Sequence, residues 1–276
     1  MLSPANHTQY QQKRLIKNIA VIGFYSLIIF VSLFGNLLVC YVILSKRRLR
    51  SRTTNILILN LTISDLLLTL FNIPLTTARL LLDNWPFGTL LCKLGPFIQA
   101  MSVYVSTISM TIIAIDRYQV LVGLLRKRYT TTVPTSLNIL MIWLLAGILS
   151  LPHAWFNQVK DIFIFKTLLR CQVVYPPEWD SRLRKWITLL TFSTQYSIPL
   201  IIITICYARI GVHIWKRVGI GALTLQQRCD QNQSKRTTIK MLITVVVVFA
   251  ICWLPLNIHH IRSDFGFGDY SSNIFL

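Results

Sequence analysis

The sequence is poor in charged residues, and acidic residues are the scarcest. Only 13% of its 276 residues are charged, and Asp and Glu together number nine. None of the five histidines lies at metal-site spacing from cysteines or carboxylates. An enzyme would need such a cluster, or a nucleophile beside a base, and neither pattern is present. We therefore predict a chain that is not an enzyme and has no catalytic or metal-binding residues.

The sequence also lacks features of other membrane-protein classes. It shows no internal repeats and no paired broken helices, which secondary transporters favour. Rings of carbonyl or charged groups, which line channel filters, are absent as well. No cleavable signal peptide is evident, because the first apolar run is too long and has no clear small-residue cleavage site. We expect that run to act as a signal anchor.

Hydrophobic residues are abundant, at 54% of the chain, and they are concentrated in long runs. About 20 apolar residues cross the ~30 Å hydrocarbon core of a bilayer. A single soluble core would not need so many long runs, so we predict an all-α membrane protein with a bundle over 19–262. The N-terminal segment is 1–18, the C-terminal loop is 263–276, and the predicted helices are 19–44, 54–81, 89–122, 133–154, 183–215 and 234–262.

Basic residues set the predicted orientation. More than half of the 28 Lys and Arg residues lie in loops on one side, where only Asp116 and Asp230 oppose them. The positive-inside rule places that side in the cytoplasm and the N-terminus outside. The glycosylation sequon at Asn6 agrees with this orientation. The excess of positive charge requires no nucleic acid, because it is spread over short loops beside anionic membrane lipid.

Two of the six cysteines are predicted to form a disulfide bond. Three cysteines lie in apolar helices, and a fourth faces the cytoplasm, where thiols stay reduced. Cys92 and Cys171 are the two in extracellular positions. Their pairing would pin the loop 155–185 to the outer end of the third helix.

Polar groups follow one face of the third helix. Gln99 and Arg117 are eighteen positions apart, which is five turns at ~3.6 residues per turn. Ser106 falls close to the same line. Polar groups inside a membrane are costly, so they need a partner, a cavity or a function. A passive anchor would not need this face.

Asp65 is the costliest single residue in the predicted membrane region. An ionised carboxylate at the membrane centre is penalised by roughly 2.5–3.5 kcal/mol on insertion scales. Asn36, Asp65 and Ser106 could meet at one depth and hold a hydrated cation. The alternative is a protonated carboxyl group that is hydrogen-bonded.

Motifs along the whole chain resemble those of the rhodopsin-like (class A) G-protein-coupled receptors. Any one motif alone is weak, but the ordered set is specific. The resemblance implies a seven-helix bundle, of which this sequence shows six helices and no NPxxY segment. The motifs are Gly35-Asn36, Asn60-Leu61 with Asp65, Cys92, Asp116-Arg117-Tyr118, Trp143, Pro199 with Tyr207, and Phe249-x-x-Cys252-Trp253-x-Pro255.

The resemblance implies an activation switch. Pro255 weakens the backbone ladder of the sixth helix and allows its inner end to swing outward. Arg117 would then leave Asp116, approach Tyr207 and meet a heterotrimeric G protein. The alternatives are core packing for Trp253 and snorkelling for Arg117. The implied switch comprises Asp116, Arg117, Tyr118, Tyr207, Phe249, Trp253 and Pro255.

Finer features resemble the neuropeptide Y and invertebrate neuropeptide F receptor group. Gln99 stands where aminergic receptors have an aspartate, which disfavours an amine ligand. Asp264 would pair with an arginine of an amidated peptide, because a guanidinium binds a carboxylate bidentately. Arg79 stands where mammalian relatives have tyrosine. The alternatives are an interhelical hydrogen bond for Gln99 and a solvated charge for Asp264. The implied ligand-binding residues are Thr76, Gln99, Gln195, His260 and Asp264.

The resemblance implies a plasma-membrane receptor for an amidated neuropeptide of the neuropeptide Y/F, RFamide or RYamide type. It implies coupling to a heterotrimeric G protein of the inhibitory class. It also implies a sodium ion as allosteric ligand, and no other cofactor is expected. Because the sequence stops before a seventh helix, we expect the chain as written to signal poorly. The alternative function is a truncated, non-signalling, receptor-like membrane subunit.

Overall fold

The computed structural model describes residues 4–50, 53–122, 134–163, 167–176, 180–216 and 225–265. The chain divides into two compact units. The first unit comprises Met1–Val105 with Trp143–Val174, and the second comprises Ser106–Ile142 with Tyr175–Leu276.

Most of the described residues are helical, and one short β-hairpin lies between two of the helices. Two helical stretches change to π-helical geometry in the middle, at Leu68–Asn72 and at Phe192–Ser197. The other elements are α1 Pro4–Ser45, α2 Arg47–Arg50, α3 Thr53–Leu67, α4 Ile73–Leu81, α5 Gly88–Val122, α6 Thr135–Trp155, β1 Asn157–Phe163, β2 Thr167–Val173, α7 Asp180–Thr191, α8 Ile198–Lys216 and α9 Leu225–Phe265.

Six helical stretches among the described residues are long and apolar enough to cross a membrane. This confirms the predicted all-α fold with six apolar helices. The stretches are Gln11–Ser45, Thr53–Leu81, Gly88–Val122, Thr135–Trp155, Arg182–His213 and Ile243–Phe265.

The first helix begins much earlier than the sequence pattern predicted. α1 has 42 residues, or about 63 Å at ~1.5 Å per residue, which is twice the thickness of the hydrocarbon core. The polar residues before 19 mark the end of the apolar run, and not the end of the helix. Pro4 is accepted in the first turn, and no further proline or glycine interrupts the helix until Gly23. The segment 1–18 is therefore helical from Pro4.

Two prolines explain the π-helical segments. Pro74 and Pro199 each follow one of these segments closely, and a proline cannot donate to the carbonyl four residues earlier. The backbone N–H of Ile73 instead reaches back five residues to Leu68, and that of Ile198 reaches Ser193. The wider turn accommodates the proline ring without breaking the helix. A π segment therefore precedes each of these prolines, and the helical stretch continues beyond it.

In the first unit, α1 packs against α3, the first π segment and α4. Polar side chains link these helices. The hydroxyls of Ser32 and Thr69 are 2.6 Å apart. The indole N–H of Trp143 on α6 donates to Asn60 Oδ1 on α3 at 2.8 Å. Asn60 is buried, so this bond satisfies a polar group that would otherwise be costly in an apolar interior.

The hairpin and a disulfide bond close one end of the first unit, called the disulfide end here. β1 and β2 are antiparallel, with Val159 opposite Cys171. Cys92 and Cys171 are joined by the predicted disulfide bond, which is confirmed. Trp85 packs against both cysteines in a buried cluster. The hairpin was not predicted, because the loop 155–185 has no strong turn signal between its strands.

In the second unit, α9 packs against α7, the second π segment and α8. The buried side chains of this unit lie mainly on α5 and α8, for example Ile113 and Ile210. The apolar side chains of α9 are mostly exposed, including Val248 and Ile251. A helix that buries little of its apolar surface in protein is suited to a lipid environment. α7 and α9 begin before the predicted 183 and 234, because polar residues extend both helices.

Candidate functional site

Thr76 and Gln99 are the two predicted ligand-binding residues in the first unit. Both are half-buried, on α4 and α5. Thr76 lies 3.5 Å from Asn72 through their side-chain oxygens, at the edge of hydrogen-bond distance. Among the described residues, none bonds the amide of Gln99. Its donor and acceptor groups are therefore available to an outside partner.

At the disulfide end of the first unit, Trp85 and the Cys92–Cys171 disulfide bond form one packed surface, called the floor here. Trp85 is 4% exposed, and its indole N–H donates to the Gly88 carbonyl at 2.8 Å. The backbone of Leu169 makes two hydrogen bonds of 2.8 Å. Its carbonyl accepts from the backbone N–H of Trp85, and its N–H donates to Asn84 Oδ1. The guanidinium of Arg79 lies on this floor, with its carbon 5.6 Å from the centre of the Trp85 ring.

Asp264 and His260 lie near the end of α9 in the second unit. This end is called the Asp264 end. The Asp264 carboxylate accepts a hydrogen bond from the Thr188 hydroxyl on α7 through Oδ2. The ammonium of Lys185, on the same helix, lies 5.6 Å from the Phe265 ring centre. His260 is one turn before Asp264, on the same face of α9. Sequence patterns do not indicate Thr188, because its contact with Asp264 depends on how two helices pack.

Gln195 lies inside the second π segment and is half-buried. The segment presents one extra residue per turn, so it rotates the side chains on either side relative to a regular helix. Such bulges are frequent at functional sites, which is consistent with the predicted role of Gln195. The predicted ligand-binding residues are thus divided between the two units, and their joint role stays a prediction.

A row of aromatic rings connects the second π segment to α9. The ring centres of Phe192 and Tyr196 are 5.7 Å apart, those of Tyr196 and Phe249 are 6.5 Å apart, and those of Phe249 and Trp253 are 6.0 Å apart. The Tyr196 hydroxyl donates to the Ala250 carbonyl at 2.9 Å. Tyr196 was not singled out from the sequence, because one aromatic residue in a helix is most simply explained by packing.

α9 remains continuous through Pro255. Proline has no N–H, so the Ile251 carbonyl loses its partner four residues later. Two residues after Pro255, the Asn257 side-chain amide donates to the Trp253 carbonyl at 2.8 Å. The ladder around Trp253 is therefore partly held by a side chain, and a bend at this point requires few backbone bonds to break.

The Asp116-Arg117-Tyr118 motif lies near the end of α5. Asp116 is buried, and its carboxylate is 3.9 Å from the guanidinium of the neighbouring Arg117. Tyr207 on α8 is also buried, and its hydroxyl interacts electrostatically with Arg117. Tyr118 is half-buried. Arg117 thus lies near both its predicted resting partner and its predicted active-state partner, within one unit.

The three residues predicted to bind sodium carry side-chain oxygen atoms that could act as metal ligands. The Asn36 amide N–H₂ donates to the Ser32 carbonyl at 2.9 Å and lies 3.2 Å from the Ser32 hydroxyl. This leaves the amide oxygen of Asn36 facing no donor in the described part of the chain. Hard cations prefer oxygen ligands, which this amide, Asp65 and Ser106 would supply. Ser106 belongs to the second unit, and the three-residue site stays a prediction.

The glycosylation sequon falls in the first turns of α1. Asn6 lies within Pro4–Ser45, and its side chain is outside the described residues. The proposed modification of Asn6 is therefore untested.

Comparison with known proteins identifies the family. The family model described as "7 transmembrane receptor (rhodopsin family)" matches residues 35–274 of this chain. The chain belongs to this family and is a multi-pass membrane protein, as the six apolar helices indicate. The predicted resemblance to rhodopsin-like receptors is confirmed. The family is one of receptors and not of enzymes, in agreement with the sequence analysis.

Two relatives are neuropeptide receptors by name. The chain is 37% identical over 248 residues to a RYamide receptor of Tribolium castaneum. It is 35% identical over 246 residues to neuropeptide Y receptor type 6 of Mus musculus. Each match covers 87% of this chain and 66% of the relative, so the chain spans just under two thirds of their length. The resemblance to the neuropeptide Y receptor group is thereby confirmed.

Proposed function

We propose that this chain forms the main part of a receptor for an amidated neuropeptide, of the RYamide, RFamide or neuropeptide Y/F type. The observation that carries the proposal is its similarity, over 87% of its length, to two receptors named for such peptides. The receptor lies in the plasma membrane with its N-terminus outside. It signals through a heterotrimeric G protein, of the inhibitory class.

Asp264 is the proposed partner of an arginine in the peptide. Thr188 donates to Oδ2 of its carboxylate and so fixes the orientation of the group. In the part of the chain that the structure describes, no donor reaches the other oxygen. A guanidinium can bind this free edge through a charge-assisted hydrogen bond, which is roughly twice as strong as a neutral one.

Gln99 is the proposed partner of the amidated terminus of the peptide. A carboxamide carries one acceptor and two donors, and the Gln99 amide offers the complementary set. Its half-buried position in α5 makes such bonds less exposed to competition from water. Thr76, Gln195 and His260 would line the remainder of the ligand site.

The proposed signal passes through α9. A peptide bound at the Asp264 end favours one of two arrangements of α9, and it shifts their equilibrium only by its differential affinity. Movement about Pro255 repacks Trp253 and Phe249 against Tyr196. Arg117 then exchanges its contact with Asp116 for one with the G protein. A sodium ion at Asn36, Asp65 and Ser106 would stabilise the resting arrangement.

A panel of synthetic peptides tests this function. Amidated RFamide and RYamide peptides and their free-acid forms are applied to cells that express the complete coding sequence, and G-protein activation is measured. We expect the amidated forms to be the more potent. Asp264→Ala should lower their potency by about tenfold or more, the value of a charge-assisted bond.

A second variant separates the two ends of the peptide. Gln99→Ala should reduce the preference for amidated over free-acid peptide, whereas Asp264→Ala should leave that preference intact. Surface expression is measured for both variants. Unchanged potency in both, at equal surface expression, would remove the assignment of these two residues to the ligand site.

A further inference from the structure

The guanidinium of Arg79 forms no ion pair with a carboxylate among the described residues. Arg79 lies in the last turn of α4, and one of its Nη atoms is 3.1 Å from the sulfur of Cys171. Its guanidinium carbon also lies 5.6 Å from the centre of the Trp85 ring. Within the described part of the chain, no carboxylate lies within salt-bridge distance of Arg79. A disulfide sulfur is a weak acceptor, so most of the five guanidinium donors have no strong partner.

The nearest carboxylate along the chain is already occupied. Asp83, four residues after Arg79, forms an ion pair with Arg14 of α1. Asp83 therefore does not neutralise Arg79. The residue as a whole is exposed, and its guanidinium is partly buried where it lies against Cys171 and Trp85.

The floor beneath Arg79 holds the guanidinium in one place. Trp85 is buried and fixed by two hydrogen bonds, and Cys171 is covalently tied to Cys92. A guanidinium stacked on an indole keeps its edge free for two parallel hydrogen bonds to an anion. Positioning of this kind reduces the entropy lost on binding.

We propose that Arg79, resting on Trp85 and the Cys92–Cys171 disulfide bond, binds a carboxylate side chain of the receptor's ligand. This inference rests on the proposed function and adds a second charge preference to it. Asp264 selects a cationic residue, and Arg79 selects an acidic one elsewhere in the peptide.

Matched peptide pairs test the proposal. Each pair of amidated RYamide-type peptides differs only by Asp or Glu against Asn or Gln at one position, and competition binding is measured on the complete receptor. For at least one position, wild type should prefer the acidic peptide by about tenfold, the value of a charge-assisted bond. Arg79→Gln should abolish that preference and leave the affinity for the neutral peptide within about twofold.

Two further variants keep the test specific. Arg79→Lys keeps the charge without the bidentate edge and should retain part of the preference. Lys160→Gln removes an exposed positive charge from the same unit, next to Val159 but on the opposite face of the hairpin from it, and should leave the preference unchanged. Surface expression and disulfide formation serve as folding controls.

The outcomes separate this inference from the proposed function. If amidated peptides bind and Arg79→Gln weakens acidic and neutral peptides equally, Arg79 has no acid preference and only this inference fails. The same holds if no position shows an acid preference in wild type. If no amidated peptide binds at all, the proposed function fails, and the inference fails with it.

Discussion

At the residue scale, the hydroxyl of Thr188 orients the carboxylate of Asp264. The two side chains come from α7 and α9 and are joined by a direct hydrogen bond. A carboxylate held by one donor presents its second oxygen in a defined direction. An incoming guanidinium then loses less conformational freedom when it binds. Thr188 is thus expected to act on ligand affinity without touching the ligand.

Thr188→Val tests this role. We expect agonist affinity to fall by about twofold to tenfold, the range of a net neutral hydrogen bond, while the charge preference for arginine is kept. Thr191→Val is the matched control, since Thr191 is half-buried on the same helix and its side chain makes no capping bond. Equal affinities of the two variants would show that the hydroxyl does not orient Asp264.

At the element scale, one polar bond fixes the packing of α6 on α3. The Trp143 indole N–H donates to the side-chain oxygen Oδ1 of the buried Asn60 at 2.8 Å. Interhelical hydrogen bonds in membrane proteins are worth about 0.6 kcal/mol on average and at most about 1.7 kcal/mol. The bond therefore links α6 to α3 and satisfies a buried polar side chain.

Trp143→Phe should therefore lower the melting temperature of the detergent-solubilised protein, by the loss of roughly 0.6–1.7 kcal/mol. Trp155→Phe is the control, because Trp155 lies on the same helix with 75% of its surface exposed. We expect little change in that variant. A melting temperature lowered as much by Trp155→Phe would show that the lost ring area, and not the bond, is responsible.

Element boundaries show where sequence patterns reach their limit. The apolar runs located the six membrane-length helices, because crossing lipid requires length and hydrophobicity, both of which are local properties. The start of α1 at Pro4 was missed, since a polar helix outside the membrane has no apolar run to mark it. The π segments before Pro74 and Pro199 were missed as well. A proline predicts a disturbed ladder, but the compensation is chosen by the surrounding packing.

At the scale of the whole molecule, the proposed activation requires that α9 adopt two arrangements. Most of its apolar face is exposed, and its backbone ladder is interrupted at Pro255. The aromatic row from Phe192 to Trp253 supplies side chains that must repack if the helix bends. A helix with few protein contacts and one weak point can change shape at modest cost.

Pro255→Ala tests this mechanism. Alanine restores an N–H donor to the Ile251 carbonyl and stiffens the helix. A stiffening of about 1.4 kcal/mol would move the two-state ratio tenfold toward the resting arrangement. We expect a lower maximal G-protein response at equal surface expression. Pro152→Ala, in α6, is the control and should leave the maximal response unchanged. An unaltered response in Pro255→Ala would place the moving point elsewhere.

The sequence by itself determined the membrane class, the six apolar helices, the Cys92–Cys171 pair and the family motifs. These depend on hydrophobicity, compartment and residue identity, which are written locally in the chain. Only the tertiary structure decided that Thr188 meets Asp264, that Asp83 pairs with Arg14, and that Arg79 is left on an aromatic and sulfur floor. Such contacts join residues far apart in sequence, and their formation depends on helix rotation and loop closure, which no local pattern specifies.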